Sequence, residues 1–161
     1  MPNNPFTETV FSHLKKGQTV NIEGPKGNFV LQEDSTRPTL FLAYSHGFAP
    51  IKSLVEHAIS LDMVAAFHLY WIIPADGEHY QSNQCRAWAD ALDNFQYTPL
   101  TASSDEETQL KQALAQVVAD YPDLNDFEVY LAGTDSFVTV AEALLRQHHL
   151  PDSQCHLATV I

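Results

Sequence analysis

The chain has 161 residues, 45% of them apolar and 17% charged, enough to bury one core and too few for two full domains. Twenty acidic against eight basic residues leave a formal charge of −12, which counts against nucleic acid or an anionic membrane as a partner. No apolar run reaches the roughly 18 residues of a bilayer span, and the N-terminus lacks the charged-then-apolar order of a secretion signal, so a cytoplasmic protein is expected.

The first clear element is an apolar strand at residues 39–43, bounded by Arg37-Pro38 and Gly47, as expected of a strand buried on both faces. Pro50 then opens a helix, because its missing N–H has no partner in a first turn. Ile51, Leu54, Val55, Ala58 and Ile59 follow at helical spacing. A strand at 66–72, a helix at 83–92, a strand at 95–100 and a helix at 106–119 come next, the last with a core stripe of Leu110, Leu114, Val117 and Val118. A strand at 127–132, a helix at 136–148 and a strand at 155–160 complete the series. This alternation predicts an α/β fold: a doubly wound, mostly parallel five-stranded sheet that binds any ligand at the carboxyl ends of its strands. Those ends carry Tyr44, Trp71-Ile72, Thr101 and Gly133-Thr134.

Cys85 and Cys155 have no paired spacing and are read as two free thiols. Tyr44-Ser45-His46-Gly47 has the outline of a hydrolase nucleophile elbow, with Asp135 and His148, His149 or His156 as triad partners. The elbow lacks its leading glycine, and the bland alternative is a serine that caps the helix at Pro50. His46, His57, His68 and His79 recur every eleven residues but fall on a loop, a helix, a strand and another loop, so no metal site is expected. Of Tyr70 and Trp71, one ring is expected against covering helices and the other at the strand end. Gly133 serves either a close ligand approach or the positive φ of a turn.

Four segments in order carry a resemblance to a known family. Residues 23–31, with Gly24-Pro25-Lys26-Gly27-Asn28-Phe29, resemble the GPxGxFxL stretch that ends a flavin barrel. Residues 43–53 resemble AGGTGxAPIKS, a pyrophosphate loop. His68-Leu69-Tyr70-Trp71 is similar to an LYWG strand end, and Val129-Tyr130-Leu131-Ala132-Gly133 to a VYxCG segment. Together they resemble the pyridine-nucleotide-binding half of the ferredoxin–NADP reductase family, especially its iron–sulfur flavoprotein reductases.

The resemblance implies a module that holds NAD(P)H against a flavin supplied by another domain, which passes electrons to an iron–sulfur partner. It implies cofactor contacts from Tyr44, Ser45, His46, Gly47, Phe48, Pro50, Trp71, Gly133 and Thr134, with backbone N–H groups near residues 49–51 facing the pyrophosphate. Residues 1–36 are expected to be the tail of the flavin barrel, a β-hairpin within 10–31 that turns at Gly17-Gln18, and residues 37–161 the nucleotide-binding domain. No Arg-x-Tyr-Ser segment is present, so the chain alone is not expected to hold FAD.

Departures from the family pattern coincide with its cofactor positions. Tyr44-Ser45-His46 replaces Gly-Gly-Thr, Ile72–Asp76 lacks the usual Gly and Arg, and residues 101–105 lack a Gly-Arg pair. Ala132 stands where the family has cysteine, Thr134 where it has proline, and Leu157-Ala158-Thr159-Val160-Ile161 ends the chain without an aromatic. Weak nucleotide binding is therefore expected, with a non-catalytic binding or regulatory module as the alternative.

Overall fold

The computed structural model describes residues 8–21, 23, 27–63, 65–104 and 106–160. Gly24, Pro25 and Lys26 of the barrel-end segment, Asp105 of the linker and Ile161 of the aliphatic end lie outside the described residues. Five parallel strands form one sheet: β1 (Thr39–Tyr44), β2 (Phe67–Pro74), β3 (Phe95–Ala102), β4 (Glu128–Gly133) and β5 (Cys155–Thr159). Their spatial order is β3-β2-β1-β4-β5. The helices α1 (Phe48–Ser60), α2 (Ser82–Ala91), α3 (Glu107–Asp120) and α4 (Asp135–Gln147) connect them. The chain winds one way from β1 to β3 and then back across β1 to β4, which puts the topological switch point between β1 and β4.

Both faces of the sheet are covered. Leu40, Leu42, Tyr70, Leu131 and Phe137 pack with Leu110, Leu114 and Val117 of α3 on one face. Phe41, Leu69, Trp71 and Tyr130 pack with Phe48, Ile51 and Val55 of α1 and Cys85 of α2 on the other. All six residues of β1 are buried, which explains why its sequence is an unbroken apolar run rather than an alternation. Cys85 and Cys155 belong to opposite faces of the sheet, so the fold keeps the two thiols apart.

Element boundaries fall within two residues of those read from the sequence, and the differences at the ends of two strands are instructive. β2 and β3 each run two residues further than expected, because Ile73 and Pro74 pair with Thr101 and Ala102. Since β1 stops at Tyr44, opposite Ile72, β2 projects beyond it and becomes a side wall at the carboxyl end of the sheet.

The expected hairpin within 10–31 is not confirmed. Among the described residues of that segment no strand is present; Thr9–His13 forms a short π-helical turn, and Gln18 N–H closes a turn on the Lys15 carbonyl. A two-stranded ribbon is marginal without further strands beside it. Further on, Gln32 N–H donates to Tyr130 Oη (2.9 Å), and Arg37 and Ser35 approach Glu128. Residues 32–37 are thereby strapped across the base of β4.

Candidate functional site

The turn after β1 is shaped by a single close approach. Gly47 lies so near β4 that a Cβ there would overlap the carbonyl carbon and oxygen of Ala132 and stand 2.7 Å from the Gly133 nitrogen. Gly47 φ is −58°, so the glycine is required for space rather than for backbone conformation. That contact pins the start of α1 against the switch point.

Ser45 carries the strain of the turn instead, at φ +51°. Its carbonyl accepts a hydrogen bond from Trp71 Nε1 (3.2 Å), which helps hold the residue in the left-handed region. Phe48 N–H turns onto the Ser45 and His46 carbonyls, so this amide, which precedes the expected cradle at residues 49–51, is already engaged. The helix cap is Gly47 without a side-chain hydrogen bond, so the expected serine cap is not formed.

The aromatic residues sort by depth. Trp71 is fully buried, stacked on Phe48 with ring centroids 3.8 Å apart. The ring expected at the strand end is therefore core, and neither Trp71 nor Phe48 lines an opening. Tyr44 is 3% exposed and stacks on Phe137 at 5.2 Å. A Cβ on Gly133 would meet Phe137 Cδ1 at 2.7 Å and Tyr44 Cβ at 2.8 Å. Gly133 thus makes room for those two rings, a third reason besides the two that the sequence suggested.

Thr134 has a plain structural role: its Oγ1 accepts from Phe137 N–H (3.3 Å) and caps α4. Thr134→Ala should cost about 1 kcal/mol in urea unfolding, and Thr134→Ser should restore most of it.

What remains open is a cleft of about 480 Å³ between the turn after β1 and the loop after β2, within the usual range for small-molecule sites. Ser45 and His46 form one wall, and Ile73, Pro74, Asp76, Gly77, Glu78 and Tyr80 the other. The second wall is a built turn: Gly77 N–H closes on the Pro74 carbonyl (2.9 Å). His79 Nε2 donates to the Trp71 carbonyl (2.8 Å), which ties that turn to β2. Tyr80 lies edge-on to Phe48 and Trp71. Burial pushes its phenol pKa up, Cys85 adding to the rise and Lys52 opposing it.

Of the nine residues expected at the site, the structure brings Ser45 and His46 into the cleft, while Gly47, Phe48, Tyr44 and Trp71 buttress it from below. Pro50 is half-buried within the first turn of α1, and Gly133 and Thr134 sit beyond Tyr44 at the end of β4. Asp76, Glu78, His79 and Tyr80 were missed. Pro74-Ala75-Asp76-Gly77 directly after a strand is a turn signal that marks the wall, though not what it faces.

The other candidate chemistries are dispersed. His57 pairs with Glu33 (2.8 Å), and His68 is buried between Tyr121 Oη (2.9 Å) and Thr98 Oγ1 (2.8 Å). No group of three metal-ligating side chains occurs among the described residues. The hydrolase constellation does not assemble: His156 pairs with the buried Glu128 (2.5 Å) at the opposite end of the sheet from Ser45, His148 with the Pro122 carbonyl and His149 with Asp123. No helix among the described residues is long and apolar enough to cross a membrane.

No family model matches the chain. It is 34% identical over 154 residues to CDP-6-deoxy-L-threo-D-glycero-4-hexulose-3-dehydrase reductase of Yersinia pestis, an alignment covering 94% of this chain and 46% of that protein. The chain thus spans about half the length of that relative. The cytochrome P450 reductase GcoB of Amycolatopsis shares the fold at a TM-score of 0.78 and 18% identity, over 93% of this chain and 46% of that one. Ferredoxin-NADP+ reductase of Plasmodium falciparum does so at 0.71 and 15% identity, over 90% and 63%. The order of four sequence segments and the 3-2-1-4-5 parallel sheet agree with these likenesses, and the chain belongs to the ferredoxin–NADP reductase family, its described residues forming the family's five-stranded α/β domain.

Proposed function

We propose that this chain is the pyridine-nucleotide side of a flavin-dependent electron-transfer reductase, binding NAD(P)H weakly in the cleft between Ser45-His46 and the loop after β2. The observation that carries this reading is the position of the cleft: it opens at the carboxyl end of the sheet, between the projecting end of β2 and the turn after β1 that borders the switch point, where the start of α1 offers its positive end to a pyrophosphate. In such a reductase the nicotinamide gives hydride to a flavin, which passes single electrons to an iron–sulfur partner. The flavin and the acceptor come from outside the described residues. Ser45 and His46 face the pyrophosphate, and Tyr44 and Trp71 support the turn from the core.

Weakness follows from the same geometry. The Ser45 and His46 side chains stand in the space that smaller residues would leave, and Phe48 N–H is already used within the turn.

Titration of the purified chain with NADH and NADPH, read by nicotinamide fluorescence, tests the reading. Dissociation constants near millimolar are expected, and Ser45→Gly/His46→Thr should tighten the better ligand on the order of tenfold, about 1.4 kcal/mol. Ser45→Gly releases left-handed strain but loosens the unfolded chain, so stability should stay within about 1 kcal/mol of the parent. Tyr44→Gly is the poorer test, because emptying a buried ring site costs roughly 3–5 kcal/mol. Absence of binding by either nucleotide to both proteins at millimolar concentration would sink the proposal.

A further inference from the structure

Away from the nucleotide cleft, at the amino ends of β4 and β5, the chain builds a second opening of about 420 Å³. One wall is the strap of residues 32–37, fixed where Gln32 N–H donates to Tyr130 Oη (2.9 Å). The other is the short turn Asp152–Gln154 that leads into β5. Gln154 holds that turn in place: it is 8% exposed and donates through Nε2 to the carbonyls of Asn125 (2.9 Å) and Phe127 (2.7 Å). His156 also lines the opening, its ring stacked on Tyr130 with centroids 4.5 Å apart.

Glu128 is buried against this opening, and its two carboxylate oxygens are served unequally. The residue is 4% exposed, and Oε1 accepts a 2.5 Å hydrogen bond from His156 Nε2. Oε2 has only long contacts, Ser35 Oγ at 3.4 Å and Arg37 Nη1 at 3.8 Å. Charge-assisted bonds ordinarily close to about 2.7–2.9 Å, and a buried carboxylate short of them is costly. Arg37 is equally unspent: its side chain is 51% exposed and makes no shorter ion pair among the described residues. A lone cation on Oε2 would sit against that guanidinium, and a lone anion on Arg37 would sit against Glu128, with Asp34 on the same rim. A molecule that carries both charges meets neither conflict. In an α-amino acid the ammonium nitrogen and the carboxylate oxygens are about 3 Å apart. An ammonium on Oε2 and a carboxylate on Nη1, each at hydrogen-bond length, therefore bridge the 3.8 Å gap.

We propose that this opening binds a free α-amino acid, Glu128 taking its ammonium and Arg37 its carboxylate. His156 acts as a positioning residue that fixes the Glu128 carboxylate through Oε1 and leaves Oε2 to the ligand. Asp34 offers the ammonium a second acceptor, and Gln32 and Ser153 give the remaining lining a polar character that favours a polar side chain. The site lies at the opposite end of the sheet from Ser45 and His46, so it stands apart from the nucleotide reading.

The test is a titration of the full chain with free serine, threonine, asparagine and glutamine, each beside its amide, a cation, and its N-acetyl derivative, an anion. Backbone amide NMR shifts are the readout. At least one amino acid should bind with a dissociation constant on the order of 1 mM or tighter and shift the amides of Ser35, Glu128, Ser153 and His156. Its amide and its N-acetyl derivative should each bind at least about tenfold more weakly. Arg37 is half exposed, so Arg37→Gln should fold as the parent does. That variant should weaken the amino acid about tenfold and leave its amide unchanged or tighter, a split that loss of a merely structural contact would not produce. Four results each overturn the proposal: no binding by any of the amino acids, shifts confined to the other end of the sheet, an amide that binds as tightly as its acid, or an Arg37→Gln variant that binds the acid as the parent does.

Discussion

Gly47→Ala should be the most damaging single-methyl change in the chain, lowering stability by at least about 3 kcal/mol and the melting temperature by roughly 10 °C. The added Cβ would meet main-chain atoms of Ala132 and Gly133, and a strand backbone hydrogen-bonded on both sides cannot move aside as a flexible side chain would. Either α1 lifts from β4 or the β1–β4–β5 ladder distorts, and each route opens the apolar contact beneath Phe48. Gly77→Ala is the control. Its Cβ meets only Pro74 at 3.1–3.3 Å on the surface, and its loss of stability should stay below about 1 kcal/mol. Urea unfolding of the two variants beside the parent distinguishes them; comparable losses would mean that the approach of α1 to β4 is not what Gly47 serves.

Acidification should unfold this protein in a window set by one buried histidine. His68 is 7% exposed on the α3 face, its Nδ1 on Tyr121 Oη and its Nε2 on Thr98 Oγ1, and its ring stacks on Tyr70, whose hydroxyl donates to Asp120. Burial lowers its pKa from 6.5 to about 4, against a smaller upward pull from the Asp120 carboxylate. Between those values the unfolded chain carries a proton at His68 that the folded chain refuses, so stability must rise with pH across the window and fall as pH drops through it. The loss begins below pH 6.5, is complete near pH 4, and is worth on the order of 3 kcal/mol. His68→Gln keeps a donor and an acceptor at the same place without a titrating group. The difference between the two stability–pH curves should therefore carry this slope, while the many surface carboxylates cancel. Parallel curves from pH 7 to 4 would show that His68 is not what makes the fold acid-sensitive.

Neither effect was visible in the residues alone. Gly47 stood in a glycine-bearing turn, and the sequence offered phosphate approach as its purpose, whereas the structure assigns it to packing against a strand more than eighty residues away. His68 was one member of an eleven-residue periodicity with no common face, and only the meeting of β2, β3 and the end of α3 shows its hydroxyl partners. In the cleft, Ser45 and His46 were legible because turn chemistry after a strand is local. Asp76 was read only as part of a loop that lacks the usual Gly and Arg, and Glu78 was not singled out, since what a loop faces depends on how far its strand outruns the neighbour.

The sequence by itself determined the order and kind of the elements, the parallel sheet and the family. Each of these rests on information carried within a few residues: apolar runs of strand length, helical spacing after Pro50, and short motifs in sequence order. Only the tertiary structure decided which side chains meet. β1 and most of β2 are apolar on both faces, so their patterns do not say that Trp71 turns to α1 and Tyr44 to α4, and both rings went to the core rather than to a ligand. The expected hairpin needed pairing partners that no short segment can supply. The acidic wall of the cleft came from the two-residue projection of β2 past β1, a matter of register between strands that meet in space, and register is set by packing rather than by any one strand's residues.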